Sequence, residues 1–173
     1  MKPIRVAVLG NYVPRQCGIA TFTRDLVESM LHTKNPRKFE VDAYVIAMND
    51  QQNSYTYPDI VKSTIREDSQ RDYLKAVKYI NFSNADICLI QHEFGIFGGE
   101  RGKFVIPLIQ RLEKPLVVTY HTVLKNPSPI EKLIIRELSK KAEKVVVMSQ
   151  KAITFLKEVY GVPGEKIELI LHG

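Results

Sequence analysis

Cysteine is scarce in this sequence, which has only Cys17 and Cys88 among its 173 residues. Two cysteines cannot form the multi-disulfide framework of a small secreted protein. The N-terminus has a basic start and a brief apolar run, but Asn11, Pro14 and Arg15 follow without a small-residue cleavage site, unlike a secretory signal. The sequence therefore predicts a protein of the reducing cytoplasm.

Long apolar runs and low-complexity segments are also lacking. The longest apolar stretches, such as VVVM and LILH, are far shorter than the roughly 20 residues that a membrane-spanning helix needs. Hydrophobic residues make up 45% of the chain and charged residues 25%, as in ordinary globular proteins. The composition predicts one domain that folds throughout its length.

The charge is positive but not concentrated. A formal charge of +6 arises from 25 basic and 19 acidic residues, which favours phosphate-bearing ligands, an anionic membrane surface or nucleic acid. The sequence contains no nucleic-acid-binding motif and no basic stripe interleaved with aromatic residues, so no nucleic-acid partner is predicted. Two local basic clusters are interpreted as solvated helix faces: Lys34/Arg37/Lys38 and Arg136/Lys140/Lys141/Lys144.

Short β-branched runs alternate with segments of helical period, which predicts a Rossmann-like α/β domain whose parallel sheet carries helices on both faces. Strands are predicted at Ile4 to Gly10, Val41 to Ala47, Ala85 to His92, Pro115 to His121, Lys144 to Ser149 and Lys166 to His172, with a weaker one at Ile60 to Ile65. Helices are predicted at Ala20 to His32, Asp68 to Asn81, Gly102 to Glu113, Ser128 to Ala142 and Gln150 to Tyr160. The fourth helix begins with a predicted capping box.

Polar side chains end four of these strands, namely His92, His121, Ser149 and His172. Ligands of open α/β sheets bind beyond the carboxyl ends of the strands. A single histidine there is most often structural, but three histidines at one edge of a sheet favour a ligand site. His32, near a helix end and outside any motif, is interpreted as structural or solvated.

The segment QHEFGIFGGERG follows one of these strands. It is not the helical zinc-protease motif, because Ile96 stands four residues after His92 where a second histidine is needed. The two distant cysteines give no zinc spacing either, so no metal site is predicted. Glycines such as Gly98 and Gly99 could allow a ligand to approach His92 and Glu93 closely, or could simply turn the chain.

The loop after the first strand matches neither GxGxxG nor GxxxxGK, because Tyr12 and Arg15 stand where these motifs need glycine. Gly18 lies just ahead of a helix, where backbone amides and the helix dipole can bind an anion, but it could equally be a simple helix-entry residue. Cys17 beside it could act as a nucleophile. A small packed side chain is favoured, because no His or Asp partner can be assigned to it.

Four motifs in order, PRQCGIATFTRDL, QHEFGIFGGERG, VVTYHTVL and VVVMSQKAITFL, followed by ILHG, resemble the N-terminal half of a family 4 glycosyltransferase of the GT-B fold. The resemblance is to the branch with an HE-[FY]-G-I-F-G-G loop and covers essentially the whole chain. It implies an acceptor-side domain over residues 1–173. It also implies a nucleotide-sugar-binding domain outside this chain, which packs against the strand-end face.

The resemblance further implies the transfer of a hexose, with retention of configuration, to a glycan, lipid-linked or small-molecule acceptor. A nucleotide-sugar would be the co-substrate, and no metal or other cofactor would be needed. Gly18 would contact the donor diphosphate and His121 would lie near the transferred sugar. The implied cleft residues are the catalytic pair His121 and Glu93 and the binding residues Gly18, His92, Gly98, Gly99 and Ser149.

The chain departs from the family pattern by ending at Gly173, where a complete member continues into its second domain. We therefore expect an excised domain rather than a natural short protein, with little or no transferase activity by itself. A non-catalytic sugar- or phosphate-binding module and an unrelated flavodoxin-like domain are the alternatives. The donor sugar, the acceptor and a peripheral contact with the inner membrane surface stay open.

Overall fold

A computed structural model of the chain describes residues 2–32, 40–50 and 55–171. Within these ranges, seven strands form one sheet: β1 (Ile4–Gly10), β2 (Val41–Asn49), β3 (Val61–Arg66), β4 (Ile87–His92), β5 (Leu116–Tyr120), β6 (Lys144–Val147) and β7 (Ile167–Leu169). Five α-helices connect them: α1 (Gly18–His32), α2 (Gln70–Phe82), α3 (Val105–Arg111), α4 (Pro129–Lys141) and α5 (Gln150–Glu158). All strand pairs are parallel, in the order β3-β2-β1-β4-β5-β6-β7.

Alternate residues of β1, β2 and β4 face one of two apolar clusters. In β1, Ala7 and Leu9 join the larger cluster, which α2 to α5 cover. Val6 and Val8 join the smaller cluster, which α1 covers through Val27. Right-handed crossovers require this division, because the chain runs one way along the sheet from β1 to β2 and the other way from β3 onward. The predicted parallel sheet with helices on both faces is confirmed.

The predicted strands and helices are all present, with ends that shift by a few residues. The largest shift in a helix start is that of α3, which begins at Val105 rather than Gly102 because the backbone before it has positive φ at Gly99, Arg101 and Gly102. The basic cluster predicted at Lys34, Arg37 and Lys38 and the final residue of the predicted last strand, His172, lie outside the described residues.

Helix α4 begins with the predicted capping box. The Ser128 hydroxyl accepts a hydrogen bond from the Glu131 amide at 3.4 Å, and the Glu131 carboxylate accepts one from the Ser128 amide at 2.7 Å. Arg101, at φ 55°, places its Nε 3.1 Å from the same carboxylate. These contacts lower the pKa of Glu131, chiefly through the Ser128 amide, and they attach the glycine-rich loop to α4.

The strand order reverses between β1 and β4, because the chain leaves β1 toward β2 and returns on the other side. The carboxyl ends of these two strands are therefore adjacent, and the crevice between their loops is where α/β sheets bind ligands. A Cβ atom added at Gly10, the last residue of β1, would lie 2.9 Å from Cβ of Gln91 in β4. Among the described residues, no helix has the length and apolar character required to cross a bilayer.

Candidate functional site at the carboxyl ends of the strands

His121 stands at the centre of the site. Its amide continues the β4–β5 ladder by donating to the carbonyl of His92 at 3.0 Å. Its ring nitrogen Nε2 lies 2.9 Å from Oε1 of Gln91, and the Phe22 ring packs edge-on at a centroid distance of 4.8 Å. Phe22 lies about one turn after Gly18 on α1. The His121 imidazole, which follows β5, therefore contacts both the end of β4 and the beginning of α1.

Glu93 lies directly after β4 and is half-buried. Its Oε1 accepts a hydrogen bond from the Phe94 amide at 2.9 Å, and its Oε2 accepts one from the Thr122 hydroxyl at 2.5 Å. Both carboxylate oxygens are thereby fixed. Since Thr122 follows His121 directly, the carboxylate and the imidazole stand on neighbouring loops at the same edge of the sheet.

A cavity of about 420 Å³ opens beside these residues and is lined by His121, Thr122 and Ser149, among others. Ser149 is exposed and caps α5, where its hydroxyl accepts a hydrogen bond from the Ala152 amide at 3.2 Å. The ends of β5 and β6 thus meet in one concave surface. The structure brings together His121 and Ser149 in this cavity, and Glu93 is joined to it through Thr122.

Gly18 begins α1 and is exposed at the edge of the crevice. A Cβ atom added to it would meet no atom of the chain within 4 Å. The Cys17 sulfur caps the same turn, accepting hydrogen bonds from the Ala20 amide at 3.4 Å and the Asn11 side chain at 3.2 Å. The first turn of a helix still has amides without intrahelical partners, which favours an anion at this end.

His92 does not lie in the open cavity. It is 0% exposed, and the rings of Phe94, Phe97 and Tyr120 surround it at centroid distances of 5.0, 5.7 and 5.5 Å. Neither ring nitrogen has a hydrogen-bond partner among the described residues. Burial, and secondarily the neighbouring His121, lower the pKa of His92 to about 3. In this structure His92 can act on a ligand only through its neighbours.

Gly98 packs against backbone rather than lining the cavity with His121. A Cβ atom there would lie 1.7 Å from the carbonyl oxygen of Glu67. The Gly98 amide donates to the Tyr73 hydroxyl at 2.8 Å, and that hydroxyl donates to the same Glu67 carbonyl at 3.0 Å. Gly99, at φ 76°, is exposed and follows this contact. Their predicted role in substrate binding stays a prediction, while close packing explains why residue 98 must be small.

Other features of the described residues are separate from this site. No group of three or more His, Cys, Asp or Glu side chains within them could hold a metal ion. A larger open groove of about 910 Å³ runs along the outer side of α4 and is bordered by Lys132, Arg136 and Lys140. None of its lining residues comes from a loop that directly follows the carboxyl end of a strand, so the groove is not part of the crevice described above.

Solved structures support the fold. The chain aligns with the apo form of the lipopolysaccharide outer core galactosyltransferase WaaB at a TM-score of 0.61 and 10% identity, covering 97% of this chain and 45% of that one. The present chain thus spans less than half the length of that protein. Homoserine dehydrogenase from S. aureus aligns over 85% of this chain and 33% of its own length at 12% identity, with a TM-score of 0.46 that is too low to support a shared fold.

Sequence comparisons identify the family. A search of curated proteins finds no match to this sequence. The family model described as Glycosyltransferase Family 4 matches residues 18–173, which is most of the chain and includes the ends of β4, β5 and β6. The WaaB alignment concerns the fold alone, which is that of half of a GT-B glycosyltransferase. The chain therefore belongs to Glycosyltransferase Family 4.

Proposed function

We propose that this chain forms the acceptor-side half of the active site of a retaining hexosyltransferase. The enzyme would move a hexose from a nucleotide-sugar to a glycan, lipid-linked or small-molecule acceptor. The arrangement of His121 supports this proposal, because its imidazole contacts Gln91 at the end of β4 and Phe22 of α1, next to the point where the strand order reverses. Glu93 lies on the neighbouring loop, where it accepts a hydrogen bond from Thr122, and Ser149 lines the same cavity as His121.

Each residue of the site would have a distinct role. The first turn of α1 at Gly18 would bind the donor diphosphate, since backbone amides and the helix dipole both favour an anion there. His121 would contact the transferred sugar. Glu93, held by Phe94 and Thr122, would orient the acceptor or stabilise the positive charge that develops on the sugar in the transition state. No metal ion takes part in this scheme.

A second Rossmann-like domain would supply the rest of the site. It would bind most of the nucleotide and close over the strand-end crevice of this chain. Because both positioning and charge stabilisation depend on groups from the two halves, this chain alone is expected to have little or no activity. The reaction would take place in the cytoplasm, with a peripheral membrane contact where the acceptor is lipid-linked.

The proposed function is tested by a donor screen on a protein that joins this chain to its nucleotide-binding domain. Release of nucleoside diphosphate is measured with a panel of sugar nucleotides and acceptors, and the anomeric configuration of the product is determined by NMR. Acceptor-dependent release with retained configuration is expected for at least one donor. Tight sugar or phosphate binding without release from any donor would favour the non-catalytic module instead.

The glycine at the start of α1 provides a separate prediction. Gly18→Ala adds a methyl group that touches no atom of the chain, so the free energy of unfolding should stay within about 1 kcal/mol of the wild-type value. The same methyl group would obstruct the close approach of a diphosphate. We expect the KM for the nucleotide-sugar to rise about tenfold, equivalent to about 1.4 kcal/mol. An unchanged KM with unchanged stability would remove Gly18 from the donor site.

A further inference from the structure

We infer that Gln91 is a positioning residue for His121 and holds its imidazole in the tautomer that carries the hydrogen on Nε2. The inference deepens the proposed function, on which it rests for the role of His121 in transfer. Gln91 is not expected to contact the substrate itself, because its side chain is buried. It is 0% exposed and lies beneath the site, next to the last residue of β1.

The hydrogen bond between the two side chains fixes the tautomer. Oε1 of Gln91 lies 2.9 Å from Nε2 of His121. An amide oxygen can only accept a hydrogen bond, so Nε2 must carry the hydrogen and Nδ1 keeps the lone pair of the neutral ring. In this tautomer Nδ1 of the neutral ring can accept a hydrogen bond but cannot donate one.

Packing holds both side chains in this geometry. The close approach of Gly10 to Gln91 leaves no room for a Cβ at the end of β1, since the two Cβ atoms would be 2.9 Å apart. On the other side of the pair, the Phe22 ring meets the imidazole edge-on at a centroid distance of 4.8 Å. The imidazole is therefore confined between a strand and a helix.

The amide nitrogen of Gln91 indicates that a glutamine at this position does not serve stability alone. Its Nε2 is buried and has no hydrogen-bond partner among the described residues. A buried donor without a partner costs stability, and an apolar side chain of the same shape would avoid that cost. The amide is best explained by the bond that its oxygen makes with His121.

The inference is tested on this 173-residue chain by ¹H–¹⁵N correlation spectra of the histidine side chains. Wild-type His121 should show one tautomer, with a protonated Nε2 and an unprotonated Nδ1. Gln91→Met keeps the side-chain volume and removes the unpaired amide, so we expect it to fold and to give shifts averaged over both tautomers. Gln91→Glu should raise the pKa of His121, because a carboxylate favours the imidazolium. Gln110→Met, at an exposed position of α3, should leave the His121 signals unchanged.

Two NMR results would overturn the inference, independently of any activity measurement. One is a wild-type His121 ring protonated on Nδ1, and the other is a His121 tautomer that Gln91→Met leaves unchanged. In a transfer-competent protein, Gln91→Met should lower kcat about tenfold and change the donor KM little, as expected for loss of one hydrogen bond. A changed tautomer with unchanged kcat would also overturn the positioning role. If His121→Ala itself leaves transfer intact, the proposed function of His121 fails, although the tautomer result stands.

Discussion

Replacing Gly98 with alanine should lower the free energy of unfolding of this chain by about 3 kcal/mol, as overpacking against rigid neighbours does. The added methyl carbon would lie 1.7 Å from the carbonyl oxygen of Glu67 and 2.6 Å from its carbonyl carbon. These are backbone atoms at the end of β3 and cannot rotate away. The loop cannot retreat easily either, because the Gly98 amide is bonded to Tyr73 and its carbonyl accepts from the Phe104 amide at 3.1 Å.

The same loop contains a matched control. Gly95 is exposed, and a Cβ added to it would meet no atom within 4 Å. Gly95→Ala should therefore keep the wild-type stability within about 1 kcal/mol, since Gly-to-Ala changes at unstrained positions have small effects. Urea unfolding followed by circular dichroism measures both variants. Equal stabilities for Gly98→Ala and Gly95→Ala would show that the loop does not pack against β3 as described.

Acid should destabilise the chain through His92. Its folded-state pKa is about 3, against 6.5 for an unperturbed histidine, so between these values the unfolded chain binds one more proton than the folded chain. Stability therefore falls as the pH drops below about 6.5, with a slope approaching 1.4 kcal/mol per pH unit, and about 2 kcal/mol is lost by pH 5. Above about pH 8 this contribution to the pH dependence disappears, because the unfolded-state histidine is then also neutral.

A substitution separates His92 from the carboxylates that also titrate in acid. His92→Leu removes the titrating ring and both unpaired nitrogens while nearly preserving the side-chain volume, so at pH 7 the variant should be at least as stable as the wild type. Between pH 7 and 5 the wild type should lose about 2 kcal/mol more of its unfolding free energy than the variant does. His32→Leu, at an exposed position at the end of α1, should retain the wild-type acid slope. Parallel curves for wild type and His92→Leu would mean that His92 is not buried and neutral.

Features set by local sequence were predictable. The capping box of α4 depends on Ser128 and Glu131, which are three residues apart, and the order of strands and helices follows from the period of apolar residues. The parallel sheet followed in turn, because crossovers of this length join parallel strands. His121 and Ser149, at the ends of β5 and β6, were predicted to lie at one edge of the sheet, since the carboxyl ends of parallel strands share one edge.

Contacts between distant parts of the chain were not predictable. The tight packing at Gly98 involves the backbone of Glu67, and no pattern in either segment indicates that they touch. The burial of His92, in contrast, is indicated by the pattern of β4. Side chains alternate along a strand, so His92 shares a face with Cys88 and Ile90 in the larger core, whereas Gln91 shares the α1 face with Leu89. Applied to β4, this alternation indicates that Gln91 and not His92 meets His121.

The role of His121 in sugar transfer is tested most directly by one rate comparison. The kcat for nucleotide release is measured for the wild type and His121→Ala in a protein that joins this chain to its nucleotide-binding domain, with the exposed His32→Ala as the control. A group that contacts the transferred sugar and stabilises the transition state contributes about 100-fold or more. We predict at least that loss for His121→Ala and none for His32→Ala, with both variants folded. Equal turnover by His121→Ala and the wild type would contradict the assignment of the strand-end crevice as the transferase site.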